Sequence, residues 1–195
     1  MARRAFFPVS LNLEGRVCVV IGAADDREAV EKSAALEEAG AELRRVYDAQ
    51  RLDETQLADA FFVISTPQDV ELSARLRALA DRDRFLLCCI DQPTYGFVAM
   101  AAIAKAGPVR VAISTAGLAP RVAKVLKRAL QRAMDEKFAR FVERLAELRE
   151  RTRSAHPGPE DSPLRRAAMI EAAHGFEADV RFAYPSWFDE GDGQR

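Results

Sequence analysis

Val17-Cys18-Val19-Val20-Ile21 is a continuous apolar run, mostly β-branched and closed by Gly22. A strand with no polar face cannot lie on a surface, so it demands a sheet covered by helices on both sides. The chain supplies such a cover at once. Ala29, Val30, Ser33, Ala34, Leu36 and Ala39 fall at helical spacing across 27–39, and Gly40 suits the left-handed stop after a helix. A second strand is expected over 41–47. Phe61-Phe62-Val63-Ile64 and Phe85-Leu86-Leu87-Cys88-Cys89-Ile90 repeat the buried pattern, and Val70, Leu72, Leu76 and Leu79 mark a helix over 69–80 between them. Short apolar strands alternating with helices predict an α/β fold with a parallel sheet.

The pattern changes after Asp91. Gly107-Pro108 signals a turn, and Val109-Arg110-Val111-Ala112-Ile113 alternates like a half-buried strand. From Pro120 an apolar stripe runs through Val122, Val125, Leu126, Leu130, Met134, Phe138, Phe141, Leu145 and Leu148, longer than a typical globular helix. Two helices, or one helix shared with a partner subunit, would each account for it. His156-Pro157-Gly158-Pro159 reads as a linker, 163–173 as a last amphipathic helix, and Glu190 to Arg195 as a frayed tail. Phe6, Phe7 and Trp187 read as packing residues.

Composition removes several classes. Lys and Arg total 29 against 30 Asp and Glu, a net charge of -1, which gives no basic excess for nucleic acid or an anionic membrane. Asn12, Glu14 and Arg16 interrupt any signal-like apolar run near the basic start, and no 18-residue apolar stretch occurs, so no membrane span is expected. Three cysteines, two of them adjacent in a buried strand, suggest reduced core thiols and a cytoplasmic location. His156 and His174 lack any spacing that supports a metal site.

The candidate chemistry begins at the loop after the first strand, where α/β proteins seat a dinucleotide pyrophosphate against free helix N–H groups. Here it reads Gly22-Ala23-Ala24-Asp25-Asp26-Arg27, so only the first glycine of the G-x-G-x-x-G fingerprint is in place. Asp25 and Asp26 would cap the helix and repel a phosphate at the same end. From Gly40 to the next strong strand there are too few residues for a strand–helix–strand unit, with only a short helical turn over 53–59, so one crossover is missing. Asp48 ends the second strand where an acidic residue would meet an adenosine ribose; a solvated strand-end aspartate is the plainer reading. Arg44 and Arg45 would favour an extra phosphate, or simply charge an outer strand.

Certain segments in this order resemble the precorrin-2 dehydrogenase module of the siroheme synthase family. The opening Phe7-Pro8, Leu11, Leu13 and Gly15 match, as do Glu38-Ala39-Gly40-Ala41 and Lys32. Thr66-Pro67-Gln68-Asp69 is similar to the family's Ala-Thr-Asp-Asp, with Pro67 a departure. The most specific matches are Cys89-Ile90-Asp91-Gln92-Pro93, Phe97-Val98, and Val111-Ala112-Ile113-Ser114-Thr115-Ala116-Gly117-Leu118-Ala119-Pro120. Ala116 and Ala119 stand where the family has Gly and Ser.

The resemblance implies a reduced Rossmann-like nucleotide domain over 1–95, a dimerisation segment with the long helix over 96–155, and a helical tail over 156–195, assembled as a homodimer. It implies oxidation of precorrin-2 to sirohydrochlorin with NAD, and in some members ferrous iron insertion. Asp91 then falls on the catalytic aspartate. Gly22, Ala23, Ala24, Asp48 and Thr66 are expected to meet the cofactor, and Ser114, Thr115 and Lys124 the tetrapyrrole carboxylates, with Arg121 and Arg128 nearby. The broken glycine loop keeps a second reading open: a relative that binds a tetrapyrrole or chelates metal without oxidising it.

Overall fold

The computed structural model describes residues 6–189; the basic start Met1–Ala5 and the tail Glu190–Arg195 lie outside the described residues. Its centre is a four-stranded, wholly parallel sheet in the order β2-β1-β3-β4, formed by β1 (Val17–Ile21), β2 (Glu42–Val46), β3 (Phe62–Ser65) and β4 (Leu86–Cys89). β1 and β3 are central, and their apolar runs are buried throughout apart from Val17. β2, at the edge, alternates exposed and half-buried residues, as its Glu42-Leu43-Arg44-Arg45 sequence requires.

The two sheet faces carry separate cores. Val19, Ile21, Val63, Leu87 and Cys89 pack with Leu72, Leu76 and Leu79 of α2 (Val70–Asp83). Cys18, Val20, Phe62, Ile64 and Cys88 pack with Ala29 and Leu36 of α1 (Arg27–Glu38). The adjacent thiols of Cys88 and Cys89 therefore point to opposite faces, both buried.

The missing crossover is a feature of the fold. Between β2 and β3 the chain makes only two 3-10 turns, Ala49–Arg51 and Glu54–Leu57, and Leu52 and Leu57 drop into the core in place of a helix. α1 ends one residue earlier than expected, with Ala39 as its cap and Gly40 at φ +79° just beyond. α2 runs three residues past the predicted end, stopped by Arg84 in the left-handed conformation.

After the sheet, β5 (Ala102–Ala106) and β6 (Val109–Ile113) pair as a separate two-stranded sheet, turning at Gly107 with φ +50°. β6 is the alternating strand expected from the sequence; β5 is an addition to it. Ala101-Ala102-Ile103-Ala104-Lys105-Ala106 is mostly small side chains with little alternation, so no strand pattern stands out there. The long apolar stripe is two helices, α3 (Pro120–Ala133) and α4 (Glu136–Ala155), because Asp135 interrupts it as an N-cap accepting from the Phe138 N–H at 2.8 Å. α5 (Ser162–Ala172) and a short α6 (Ser186–Asp189) follow.

By contacts the chain falls into two compact units, one up to residue 104 together with 111–130, the other 105–110 together with 131 onward. In the second, Phe176 stacks on Phe141 with centroids 5.1 Å apart. Phe7 and Trp187, read from sequence as packing residues, are exposed in this chain at 86% and 72%. Among the described residues no helix is long and apolar enough to cross a membrane.

Gly22 shows how tightly β1 meets α1. A Cβ there would overlap the Thr66 hydroxyl and come within 2.8 Å of the Ala29 Cβ. This glycine is required by space, since the Ala29 Cβ is fixed directly to the α1 backbone and cannot swing aside. Gly22→Ala is expected to cost about 1–3 kcal/mol by overpacking, read as a lower urea midpoint with an unchanged m-value.

Candidate active site

All four strands point the same way, so the loops after β1, β3 and β4 open at one edge, the place where open α/β sheets gather ligands. β1 is followed by β2 on one side while β3 lies on the other, so the crevice between β1 and β3 is the switch point of the sheet.

Asp91 stands just beyond β4 at this edge. Its backbone is left-handed, with φ +58°, a conformation aspartate tolerates better than most residues. The turn is anchored from both sides. The Ser73 hydroxyl, buried on α2, bonds Gln92 Oε1, and the Phe97 and Val98 N–H groups donate to the Leu87 carbonyl at 2.8 and 3.0 Å. The Asp91 side chain remains exposed and accepts from Gln68 Nε2 at 3.1 Å. A fixed backbone thus presents a solvent-reachable carboxylate.

A cavity of about 380 Å³ opens beside it. Asp91, Ser114, Thr115 and Lys124 all line this cavity, so the residue expected to be catalytic and those expected to meet substrate share one space. The loop carrying Ser114 and Thr115 is shaped by Ala116 at φ +50° and Gly117 at φ +77°. Ser114 Oγ accepts from the Ala116 N–H at 3.2 Å, and Thr115 Oγ1 from the Ala119 N–H at 3.3 Å. Both hydroxyls are local acceptors that keep their own hydrogens to donate. Lys124 follows one turn into α3. Arg121 and Arg128 are not among the lining residues.

Two charged residues from α1 join the site beyond those expected from the sequence. Glu28 and Lys32 line the same cavity and pair with each other at 2.9 Å, the lysine largely buried. Their i, i+4 spacing is the signal the sequence offers for the pair. Cys88 also reaches the cavity wall, but burial pushes its thiol up to about 11, so it is an inert wall and not a nucleophile.

The expected cofactor residues lie at the switch point, away from that lining. Asp26 is the N-cap of α1, accepting from the Glu28 and Ala29 N–H groups at 2.9 and 3.4 Å. Its other oxygen accepts from the Thr66 hydroxyl, and this bond, ahead of the backbone donors and Arg45, holds the Asp26 carboxyl below the usual carboxylate range against the opposing effect of burial. Arg45 reaches over from β2, donating to Ser33 Oγ at 3.0 Å and to the Gly22 and Ala23 carbonyls at 3.4 Å each. Asp48 is exposed and caps the following 3-10 turn through the Gln50 N–H, with Arg51 3.4 Å away. Asp25 makes no such cap.

A dinucleotide fits this crevice with one conflict. Ala23 and Ala24 are exposed, and their N–H groups form no hydrogen bond among the described residues, so they can receive phosphate oxygens. Gly22 and Thr66 hold the loop closed against the sheet. The next donors along, Glu28 and Ala29, are already committed to the Asp26 carboxylate.

Comparison with known proteins agrees with this geometry. Residues 9–102 match a family described as putative NAD(P)-binding. The siroheme synthase of Xylella fastidiosa (strain M12) is 28% identical over 177 residues, covering 82% of this chain and 37% of that protein. The siroheme synthase of Nitrosospira multiformis is 27% identical, covering 91% of this chain and 41% of its own length. The chain therefore spans about two fifths of the length of these curated relatives. The fold of SirC, precorrin-2 dehydrogenase, superposes with a TM-score of 0.68 at 19% identity, over 87% of this chain and 90% of that one. Residues 9–102 are thus similar to a putative NAD(P)-binding family, and the chain is similar to part of two siroheme synthases and, in fold, to a precorrin-2 dehydrogenase.

Proposed function

We propose that the protein oxidises precorrin-2 to sirohydrochlorin with NAD as the acceptor. The observation that carries this reading is the single cavity lined by Asp91, Ser114, Thr115 and Lys124 at the carboxyl edge of an NAD(P)-binding fold. The likeness to siroheme synthases and to a precorrin-2 dehydrogenase supports the substrate.

The roles follow from chemistry. Precorrin-2 carries many carboxylates. Lys124 pairs with one of them, and the Ser114 and Thr115 hydroxyls donate to others. Oxidation removes two hydrogens, one as hydride and one as proton. When bound, NAD would accept the hydride; Gly22, Ala23, Ala24 and Thr66 would hold its pyrophosphate, and Asp48 would meet its ribose. Asp91 takes the proton, being a carboxylate held at the cavity and open to solvent for its release. Metal insertion into the product remains a second activity of the same cavity, with Asp91 again the steering carboxylate.

The division of labour proposed is a nucleotide domain over 1–95, a dimerisation segment over 96–155 and a helical tail over 156–195. Leu118, Val122 and Val125 are 68%, 52% and 61% exposed in the single chain, which supports a homodimer that covers them. A sedimentation mass equal to one chain would remove that part of the reading.

Purified protein given precorrin-2 and NAD should develop sirohydrochlorin absorbance with stoichiometric NADH. Precorrin-2 left unchanged, with saturable sirohydrochlorin binding and no NAD binding, would favour the non-oxidising relative. Lys124→Ala should raise the KM for precorrin-2 about five- to thirtyfold, by loss of one charge-assisted contact.

A further inference from the structure

The second unit contains a cleft that the proposed reaction does not use. It measures about 620 Å³ and lies along α4, α5 and the turn joining them. Arg149, Arg153, Arg165 and Arg166 line it, together with Thr152 and Ser162. No carboxylate is among its lining residues. This is unusual in a chain whose acidic and basic residues nearly balance.

Three of the four guanidiniums are uncommitted. Arg149, Arg153 and Arg166 form no ion pair or hydrogen bond among the described residues and are exposed. Arg149 and Arg153 also stand at i, i+4 on α4, a spacing at which like charges repel and weaken a helix. Arg165 differs. It is half-buried, and its Nη1 donates to the His156 and Gly158 carbonyls at 2.6 Å each, which holds its guanidinium in a fixed orientation at the cleft wall. One anchored and three uncommitted arginines thus line one cleft, and each guanidinium is a planar fork of donors of the kind that matches phosphate or carboxylate oxygens bidentately.

We infer that this cleft binds a small molecule bearing two or more clustered anionic groups, phosphates or carboxylates. A single anion would leave most of the guanidiniums repelling one another; a multiply charged one offsets them together. The site is separate from the Asp91 cavity in its residues, and the inference does not depend on the dehydrogenase reading.

The test is calorimetric titration of the full chain at low salt in two arms, inorganic pyrophosphate and mellitate (benzene hexacarboxylate). Saturable binding in either arm with a Kd below about 1 mM is expected, and the stronger arm identifies the source of the anion. Raising the salt should weaken it, since the contacts are charge on charge at a wet surface. Arg149→Gln with Arg153→Gln should weaken it at least about tenfold, while the helix signal persists and the unliganded protein melts no lower than the parent, because a like-charge pair has been removed. Arg149→Lys with Arg153→Lys should keep part of the affinity by charge alone. No saturation in either arm at about 10 mM, or equal binding by the glutamine variant and the parent, overturns the inference.

Discussion

Asp91→Asn is expected to lower the turnover of precorrin-2 oxidation by about a hundredfold to ten-thousandfold, the range for losing a positioned acid–base group, while leaving NAD binding and the KM for precorrin-2 within about threefold. Asparagine is the informative replacement for three reasons. It tolerates the left-handed backbone at φ +58° nearly as well as aspartate, so the turn between β4 and Phe97 is kept. It preserves an oxygen to accept from Gln68 Nε2. It also remains unable to take a proton at working pH. Asp91→Ala would confound the result with backbone strain on the order of 1 kcal/mol. Single-turnover hydride transfer followed by NADH absorbance gives the readout. A variant that matches the parent rate would leave Asp91 as a turn residue and require another group to receive the proton.

Much of the architecture is legible in the order of apolar runs. Val17 to Ile21 can only be a doubly covered strand, and once Phe61 to Ile64 and Phe85 to Ile90 repeat the pattern the parallel sheet follows. The missing crossover is legible as a simple shortage of residues between Gly40 and Phe61. The position of Asp91 after a buried strand, and of Ser114 before Pro120, is visible too, although that these come together at one cavity is a tertiary fact. Local polar competition is what the pattern hides. Asp135 breaks a stripe that hydrophobic spacing alone continues from Val122 to Leu148, because an N-cap acts through one side-chain hydrogen bond and leaves the periodicity intact. β5 is nearly all alanine and isoleucine, and it exists through pairing with β6 more than through its own pattern. Arg149 and Arg165 are far apart in sequence, so their shared cleft has no linear signature.

The contact between Asp26 and Thr66, joining residues forty positions apart, has the same origin and leads to the second large effect. Asp26→Asn is expected to tighten NAD binding about five- to thirtyfold. In the parent, the α1 terminus that would serve a pyrophosphate already carries a carboxylate, bonded to Glu28 N–H, Ala29 N–H and Thr66. A unit charge about 5 Å from a phosphate, at an effective dielectric near 20, opposes it by about 3 kcal/mol, and solvent at this half-exposed site reduces that to roughly 1–2 kcal/mol. Asparagine removes the charge and keeps an oxygen for the cap, which it forms about as well as aspartate. Near neutral pH the variant should be modestly less stable than the parent, because the amide keeps an oxygen for the cap but not the charge that strengthens the bonds from Thr66 and the backbone. The sign at low pH is set by the depressed Asp26 carboxyl: the stability it contributes is present above the unfolded carboxylate range and is lost as pH falls through the lower folded value, so Asp26→Asn should flatten the acid limb of the stability profile. Across pH 6 to 9 Asp26 stays ionised, so the gain in NAD affinity should be constant there. Titration calorimetry with NAD on both proteins decides the matter. Equal affinities would mean that the pyrophosphate avoids the α1 terminus and rests on Ala23 and Ala24 alone, whereas weaker binding by the variant would make Asp26 a ligand-organising residue and reverse the electrostatic argument.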